Sequence, residues 1–394
     1  MPRTSPTSPA RLGPTRRLAV VALLIAALAG CASRPSGTLQ PVAAEPAVAS
    51  TVEMLVATSR QADPAPGVLF NGERGRGLSL ADITVSIPNQ RAVGTVNWPR
   101  TVPGDPARDF VATSVEPLPT KAIGSWFGAL KDRPRPVLIF VHGFNTTFDA
   151  SVFRFAQIMH DSGEKAAPVL FSWPSRGRLL DYAYDRESAN FSRSDLAFVI
   201  RAAARSPAVS EVTVMAHSMG GWLAVEALRQ IALEDGRIPA KVDNLILASP
   251  DLDVDVFRRQ VEEMGKDRPH MTIFVSANDR ALRASRLIAG GVTRVGAIDL
   301  TREPYLSAFE KATGVTVIDL TLLNNGDRLN HSKFATSPEI VQLFGGRIAA
   351  GQLISDADAP AAKLGTSAQE AGQTIGSVAG VVLSAPVRVF ESRR

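Results

Sequence analysis

The sequence predicts an α/β fold, with a doubly wound, mostly parallel sheet and helices on both faces. From residue 136 onward, apolar runs of strand length alternate with segments of helical periodicity. One of these strands, residues 212–215, passes into a helix predicted over residues 222–228 through a turn of only a few residues. The length of this alternating region is sufficient for one domain with a full hydrophobic core.

The N-terminal segment has the pattern of an export signal. Four arginines and no acidic residues precede residue 18, and residues 18–28 are apolar. Eleven apolar residues are too few to span a bilayer, and they end directly before Ala29, Gly30 and Cys31, the only cysteine of the chain. This ending is similar to a bacterial lipobox, in which the cysteine is lipidated and becomes the mature N-terminus. The residue after this cysteine is Ala32 rather than an aspartate, and in this respect the sequence is similar to lipoproteins sent to the outer membrane. We therefore expect an exported, membrane-anchored protein that faces the periplasm.

The remaining chain divides into three parts by composition. Residues 31–51 form the lipidated cysteine and a flexible tether rich in Pro, Ala and Ser. Residues 52–350 form the folded domain, whose first strands are predicted over 52–58 and 83–87, and whose glycines at 72–77 indicate a surface turn rather than a nucleotide loop. Residues 351–394 are rich in Ala, Gly and Ser and are expected to form a low-complexity tail or a surface helix.

Ser218 lies on the tight turn between the strand and the helix, which is the position of a nucleophile. The residues two before and two after it are Ala216 and Gly220, and both are small, as a strand that folds straight into a helix requires. Helix capping alone explains a serine here but not the small residues on both sides. A serine hydroxyl becomes a nucleophile only when a histidine accepts its proton and an acid orients that histidine.

The expected chain order of such a triad is serine, acid, histidine, and this order narrows the choice of histidine. Of the five histidines, only His270 and His331 follow Ser218. His270 directly precedes the strand predicted over 271–276, at the end away from the site. His331 instead follows the strand predicted over 315–320 across a polar loop, which is where a mobile base is expected.

Three aspartates are candidates for the acid. Asp279 follows the strand before the histidine strand and directly precedes a predicted helix, and we favour it over Asp251, which follows the strand at 242–248. Asp327, four residues before His331, is a weaker third choice. Helix capping is the alternative role for Asp279 or Asp251.

Two backbone N–H groups are expected to bind the oxyanion of the tetrahedral intermediate. Met219 supplies one, because it directly follows the nucleophile. The apolar strand at 136–141 ends in His142 and Gly143, and Gly143 lets the backbone turn so that the Phe144 N–H faces the site. His142 is expected to be structural, holding this loop by a hydrogen bond.

These motifs together resemble the α/β-hydrolase fold, and more closely a bacterial family of the esterase/lipase superfamily whose function is unknown. The resemblance covers about residues 52–345 and depends on five segments: residues 140–148, 171–175, 184–189, 216–221 and 276–282. It implies the triad Ser218, Asp279 and His331, which agrees with the elimination above, and it implies no natural substrate. The departure from the commonest pattern is Ala216 where a glycine usually stands.

We therefore expect a serine hydrolase that cleaves carboxylic esters through an acyl-enzyme. The alternatives are a lipase or phospholipase that acts on membrane lipids and a non-catalytic envelope scaffold. Removal of residues 1–30 lowers the 43 basic residues to 39, against 38 acidic ones, so no basic footprint for nucleic acid is predicted. The sequence contains no metal-binding signature and implies no cofactor, so the expected partners are a small acyl ester or lipid substrate and the membrane.

Overall fold

The computed structural model describes residues 34–43, 49–323, 327–343, 381–382 and 388–391. The predicted signal peptide, Cys31 and most of the C-terminal part lie outside these residues. Within the described residues, the strands are, in chain order, β1 Ala49–Asp63, β2 Leu69–Pro88, β3 Val111–Leu118, β4 Arg135–Val141, β5 Ala167–Ser172, β6 Val209–His217, β7 Val242–Ala248, β8 His270–Val275, β9 Val315–Asp319, β10 Val381–Val382 and β11 Arg388–Glu391.

All these strands belong to one sheet, in the order β10-β11-β9-β8-β7-β6-β4-β5-β1-β2-β3. The seven central strands, from β9 to β1, are parallel. The remaining pairs, β1 with β2, β2 with β3, β9 with β11 and β10 with β11, are antiparallel. The predicted mostly parallel sheet is confirmed.

The α-helices of the described residues are α1 Ile123–Gly128, α2 Phe148–Ser162, α3 Tyr182–Phe191, α4 Arg193–Arg205, α5 Met219–Asp235, α6 Val254–Met264, α7 Arg280–Ile288, α8 Tyr305–Lys311, α9 Lys333–Thr336 and α10 Pro338–Leu343. Single 3₁₀ turns lie at Thr120–Ala122, Leu179–Asp181 and Val295–Ala297. None of the helices in the described part of the chain has the length and apolar character needed to cross a membrane.

The sheet separates two hydrophobic cores, because successive side chains of a strand point to opposite faces. In β4, Val137, Ile139 and Val141 pack with α4 and α5 on one face. The alternate residues Leu138 and Phe140 pack with α2 on the other. Burial of each such side chain contributes about 1.5–3 kcal/mol. Helices on both faces make the predicted doubly wound arrangement, and the carboxyl ends of β4, β6, β7 and β8 meet at one edge of the sheet.

Residues 72–77 form part of strand β2, so the predicted surface turn is wrong. Arg74 pairs with Arg60 of β1 across an irregular stretch of this long hairpin. A Cβ on Gly75 would lie 2.6 Å from the carbonyl oxygen of Arg60. The glycine is therefore required by the close approach of two strands and not by a turn.

The predicted tether and tail also differ from the structure. Leu39 is fully buried, the Thr38 hydroxyl donates to Asp149 at 2.8 Å, and the Val42 N–H donates to Ala112 at 2.9 Å. Part of the Pro-rich segment is thus packed on the domain, because one apolar side chain and a few backbone groups find partners there. In the C-terminal part, β11 pairs with β9 through residues 388–391, which are strand rather than tail or helix.

Candidate active site

Ser218 is the single residue between β6 and α5. Its backbone has φ 53° and ψ −122°, a conformation that costs roughly 1–3 kcal/mol and is maintained only when neighbouring groups enforce it. Three backbone hydrogen bonds do so: the Ser218 N–H donates to Ala248 at 2.9 Å, and the Ser218 carbonyl accepts from Asp251 at 3.1 Å and from Gly221 at 2.9 Å. The sharp turn predicted from Ala216 and Gly220 is therefore present, with Ser218 at its apex and 4% exposed.

Two glycines let the turn meet the loop that follows β4. A Cβ on Gly220 would lie 2.3 Å from the carbonyl oxygen of His142, and a Cβ on Gly143 would lie 3.0 Å from the Cβ of Ser218. The first distance is too short for a real Cβ contact, and the second is tighter than most such contacts. The requirement for a small residue at 220 thus comes from the neighbouring strand end, and Gly143 lies directly against the serine.

Asp279 and His331 form a hydrogen-bonded pair although 52 residues separate them. Asp279 is fully buried and caps α7: its Oδ1 accepts the N–H of Leu282 at 2.9 Å, and its Oδ2 lies 2.7 Å from Nδ1 of His331. Because a carboxylate accepts, Nδ1 of His331 carries the proton and Nε2 has a free lone pair. This is the tautomer that a general base for a serine hydroxyl requires.

The surroundings of His331 raise its pKa above the usual histidine value. Burial lowers the pKa, but the hydrogen bond and charge of Asp279 outweigh it, and the charges of Asp251 and Asp327 act in the same direction. The imidazolium that forms when the ring accepts a proton is therefore favoured at this position.

His217, which precedes the serine, packs against the ring of His331. The two ring centroids lie 4.7 Å apart, and the His217 ring also lies 4.8 Å from that of Phe334. Nε2 of His217 donates to the carbonyl oxygen of His331 at 3.2 Å. Burial, and then the charge of His331, lower the pKa of His217 far below its usual value, so this ring is a neutral support.

The hydroxyl of Ser218 and the ring of His331 do not hydrogen bond to each other, although both residues are described. Serine–histidine hydrogen bonds are often formed only when substrate is bound. The structure thus pairs Asp279 with His331 and places Ser218 beside His217.

The two other candidate acids have different partners. Asp251 accepts hydrogen bonds from Ser285 at Oδ1 and from Tyr182 at Oδ2, and Arg294 lies 3.2 Å from Oδ1. Asp327 accepts the backbone N–H of His331 at 2.7 Å and so holds the loop rather than the ring. Among the histidines, His270 begins β8 at the opposite end of the strand and bonds to Thr316 at 3.1 Å.

The predicted oxyanion donors are both available. Among the hydrogen bonds between described residues, none uses the backbone N–H of Phe144 or of Met219. Met219 is the first residue of α5, where N–H groups have no partner within the helix and favour an anion. Gly143, which precedes Phe144, lies against Ser218, and Met219 directly follows Ser218, so both predicted donors belong to residues adjacent to this contact.

A buried arginine, Arg60, holds the loop that carries Phe144 in place. Arg60 of β1 is 1% exposed, and its guanidinium donates to the carbonyl oxygens of Thr146 at 2.8 Å and Ser175 at 2.9 Å and lies 3.3 Å from Nε2 of His142. Burial lowers the pKa of Arg60 to about 9, against the opposing charges of nearby aspartates. Arg60 therefore joins this loop to the one that follows β5.

His142 and Asp185 complete this support. The His142 ring stacks on Trp173 at 4.9 Å, and its Nδ1 lies 2.9 Å from the carbonyl oxygen of Gly143. Burial, with the charge of Arg60, lowers the pKa of His142 to about 3, so the ring is neutral. The buried Asp185 accepts the N–H of Arg176 at 3.0 Å and that of Asn145 at 3.4 Å. The structural role predicted for His142 agrees with these contacts.

Comparison with known proteins identifies the family. The model of the family described as "Alpha/beta hydrolase of unknown function (DUF900)" matches residues 120–347. The chain belongs to this family. The hydrolase is also 29% identical over 126 residues to the uncharacterized protein alr1448 of Nostoc sp., a match that covers 26% of the hydrolase and 33% of that relative. The match thus spans about a third of the length of the curated relative.

Solved structures to which the hydrolase is similar include esterases, at low identity. They include an esterase of Rhizomucor miehei (13% identity, 77% of the hydrolase and 86% of that chain covered, TM-score 0.34). An esterase of Pyrobaculum calidifontis is 11% identical, with 85% and 92% covered and a TM-score of 0.35. The siderophore hydrolase EstB of Aspergillus nidulans is 12% identical, with 79% and 97% covered and a TM-score of 0.38.

Three residues that support the site in this hydrolase were not expected from its sequence: Arg60, Asp185 and Lys333. Lys333 is 1% exposed, and its Nζ donates to Ser276, Asn278 and the carbonyl oxygen of Leu320 at 2.8–3.1 Å. It thus ties the segment after His331 to the loop that carries Asp279. The available signal was the position of Lys333 two residues after His331, whereas Arg60 lies beyond the strand predicted over 52–58, in the polar stretch 59–61. Within the described part of the chain, no cluster of His, Cys, Asp and Glu has the arrangement of a metal site.

Proposed function

We propose that this α/β-hydrolase is a serine hydrolase that cleaves carboxylic esters through an acyl-enzyme. The observation that supports it most is the 2.7 Å contact between Asp279 Oδ2 and His331 Nδ1, together with Ser218 on a strained turn beside Gly143. Hydrogen bonding to a buried carboxylate orients the imidazole and stabilises its protonated form. A histidine that serves only to fill the core does not need a raised pKa.

In the proposed reaction, the Ser218 oxygen attacks the acyl carbonyl carbon while Nε2 of His331 takes the hydroxyl proton. The carbonyl oxygen becomes an oxyanion, which accepts hydrogen bonds from the Phe144 and Met219 N–H groups. His331 then returns the proton to the departing alcohol oxygen, and the acyl group remains on Ser218. A water molecule repeats the sequence, giving the free acid and restoring the serine.

Labelling with a fluorophosphonate probe tests this proposal. The probe forms a covalent bond with an activated serine, so the native protein should be labelled and the Ser218→Ala variant should not. The control is Ser210→Ala, which removes an exposed serine of the same strand. Absence of Ser218-dependent labelling on folded protein would refute the enzymatic proposal and leave the non-catalytic scaffold.

A second candidate, action on membrane lipids, is favoured by exposed apolar side chains near the site. Leu179 and Leu180 are 71% and 98% exposed, and Leu287 and Ile288 are 81% and 66% exposed. The hydroxyls of Tyr182 and Ser285, which adjoin these pairs, lie 3.0 Å apart. Exposed apolar side chains of this kind occur where a protein contacts a membrane or a protein partner. Hydrolysis of phospholipid vesicles that falls in Leu180→Asp while hydrolysis of soluble esters does not would favour this candidate.

We further propose that the enzyme is attached to the outer membrane, facing the periplasm, through lipidation of Cys31. This depends on the basic and apolar pattern of the first 30 residues and on the small residues before the cysteine. Two acyl chains on one residue anchor a protein stably, whereas one does not. The domain would then act on esters close to that membrane surface.

A further inference from the structure

Arg294 is a buried cation, and two of its three guanidinium nitrogens have no hydrogen bond partner among the described residues. Its side chain is 3% exposed, and Nε lies 3.2 Å from Oδ1 of Asp251. The contact has the distance of an ion pair but not the geometry of a hydrogen bond, since Nε and Nη2 are both buried without a hydrogen bond partner among the described residues. A guanidinium has five N–H donors, and buried donors are almost always paired.

Asp251 balances the charge of Arg294 but is already occupied by other donors. The Ser285 hydroxyl donates to Oδ1, and the Tyr182 hydroxyl donates to Oδ2 at 2.9 Å. The carboxylate therefore neutralises the charge of the guanidinium without accepting hydrogen bonds from its N–H groups. The unused donors of Arg294 remain free for an acceptor that arrives from outside the protein.

Arg294 lies at the wall of a small recess that Met219, the residue after Ser218, also lines. Arg294, Asp251, Met219 and Trp222 line it, and its free volume of about 20 Å³ suits one water-sized group. Met219 carries one of the two proposed oxyanion donors. The ring of Tyr182, which also lines the recess, lies 5.2 Å from that of Phe144, the residue with the other donor.

We propose that Arg294 binds a second, uncharged acceptor oxygen of the substrate, close to the scissile carbonyl. This inference rests on the proposed esterase function. Two arginines, Arg186 and Arg294, and two aspartates, Asp251 and Asp253, line the recess, so its formal charges balance. A carboxylate would add an unbalanced charge, whereas a carbonyl or hydroxyl oxygen accepts the hydrogen bond and leaves the balance unchanged. The preferred substrates are therefore esters whose acyl group carries a carbonyl or hydroxyl oxygen.

Matched substrates test this inference with the wild-type enzyme. The 4-nitrophenyl esters of pentanoate and 4-oxopentanoate differ by one carbonyl group in place of a methylene, and the hydrogen succinate ester supplies a carboxylate. After normalisation to hydroxide-catalysed rates, we expect kcat/KM to be at least tenfold higher for the 4-oxopentanoate ester than for the pentanoate ester. A site that donates to a substrate oxygen discriminates against the analogue that lacks it, because its donors are left unpaired.

Variants then assign the preference to Arg294. The double variant Arg294→Met, Asp251→Asn removes both charges together, and we expect its ratio of kcat/KM for the two esters to fall to about one. Arg294→Lys keeps the charge but has fewer donors, so its ratio should lie between those of the wild type and the double variant. If the double variant does not fold, this single variant provides the test. Arg108→Met, at an exposed arginine with an 85% exposed side chain, is the control and should keep the wild-type ratio.

The outcomes separate this inference from the proposed function. If Ser218 is not labelled by the fluorophosphonate, the proposed function fails whatever the ester ratios are. If labelling and hydrolysis occur but the ratio is the same in the wild type and in the Arg294 variants, the inference alone is refuted. A preference of the wild type for the succinate ester that the variants lose would also overturn it, since the acceptor would then be anionic.

Discussion

Replacement of Gly143 by alanine should disable the proposed oxyanion hole while leaving the Asp279–His331 pair in place. The added Cβ would lie 2.9 Å from Nδ1 of His217 and 3.0 Å from the Cβ of Ser218. Carbon atoms in contact lie about 3.5–4.0 Å apart, so the loop has to shift by roughly 0.5–1 Å. The neighbours cannot yield instead, because His217 is packed between the rings of His331 and Phe334.

The shift moves the Phe144 N–H away from the oxyanion position. Loss of one such donor costs about 2.7–4 kcal/mol in the transition state, which corresponds to a decrease in kcat of roughly 10²–10³-fold. KM for a small ester should change little, because the donor acts mainly when charge develops on the carbonyl oxygen. The rate of labelling by a fluorophosphonate should fall with kcat, since the phosphoryl oxygen uses the same donors.

Steady-state kinetics on a soluble aryl ester, with a thermal melt of each variant, measures this effect. Gly77→Ala is the matched control, because a Cβ there meets nothing within 4 Å. A kcat of Gly143→Ala within threefold of the wild type, on a protein that melts normally, would show that Phe144 is not an oxyanion donor. An equal loss in Gly77→Ala would show that the assay reports general destabilisation.

The remaining predictions concern the acid, the base, the buried lysine and the anchor. Asp279→Asn should lower kcat by roughly 10³–10⁴-fold, whereas Asp251→Asn should leave hydrolysis of a simple ester within tenfold of the wild type; the reverse order would assign the acid to Asp251. Because the pKa of His331 is raised and the base must be neutral, kcat/KM should rise with pH through a midpoint above about 6.5, and a lower midpoint would contradict this. Lys333→Met removes a buried ammonium together with its three hydrogen bonds and should lower the free energy of unfolding by about 3 kcal/mol in a denaturant titration. A change within about 0.5 kcal/mol would show that Lys333 does not stabilise the contact between these segments. Cys31→Ser should move the protein from the membrane fraction to the soluble fraction, and unchanged retention would exclude lipidation as the main anchor.

The central strands were predictable because their residues are apolar on both faces of the sheet. Residues 136–141, 242–248 and 315–320 fall on β4, β7 and β9 within one or two residues. Strand β3 was not predicted, because Val111–Leu118 contains a proline, which strands tolerate mainly at the edge of a sheet, and shows little alternation of polar and apolar residues. The strands predicted over 52–58 and 83–87 fall on β1 and β2, but the outer part of this long hairpin was missed because it contains glycines that two approaching strands require.

The supporting residues of the site could not be read from the sequence, because their partners are distant along the chain. Arg60 bonds to carbonyl oxygens 86 and 115 residues away, in loops that no local pattern relates to β1. The contact between Asp279 and His331 could be predicted, since each follows a recognisable strand. The contacts that fix the loop around Phe144 depend on tertiary packing. From the sequence alone, a charged residue such as Arg60 is expected at the surface rather than in the core.

Asp279 shows why helix capping and the proposed orientation of His331 are not alternatives at this position. Oδ1 accepts the N–H of Leu282 as a helix cap, and Oδ2 accepts from His331. Asparagine caps a helix about as well as aspartate, so Asp279→Asn should keep the stability of the fold. With the Asn oxygen on Leu282, its amide N–H₂ faces Nδ1 of His331, which must then become the acceptor. The ring proton moves to Nε2, and a base with its proton already on the nitrogen that faces the serine cannot accept another. Loss of activity without loss of stability would therefore separate the orienting role of Asp279 from its role as a cap.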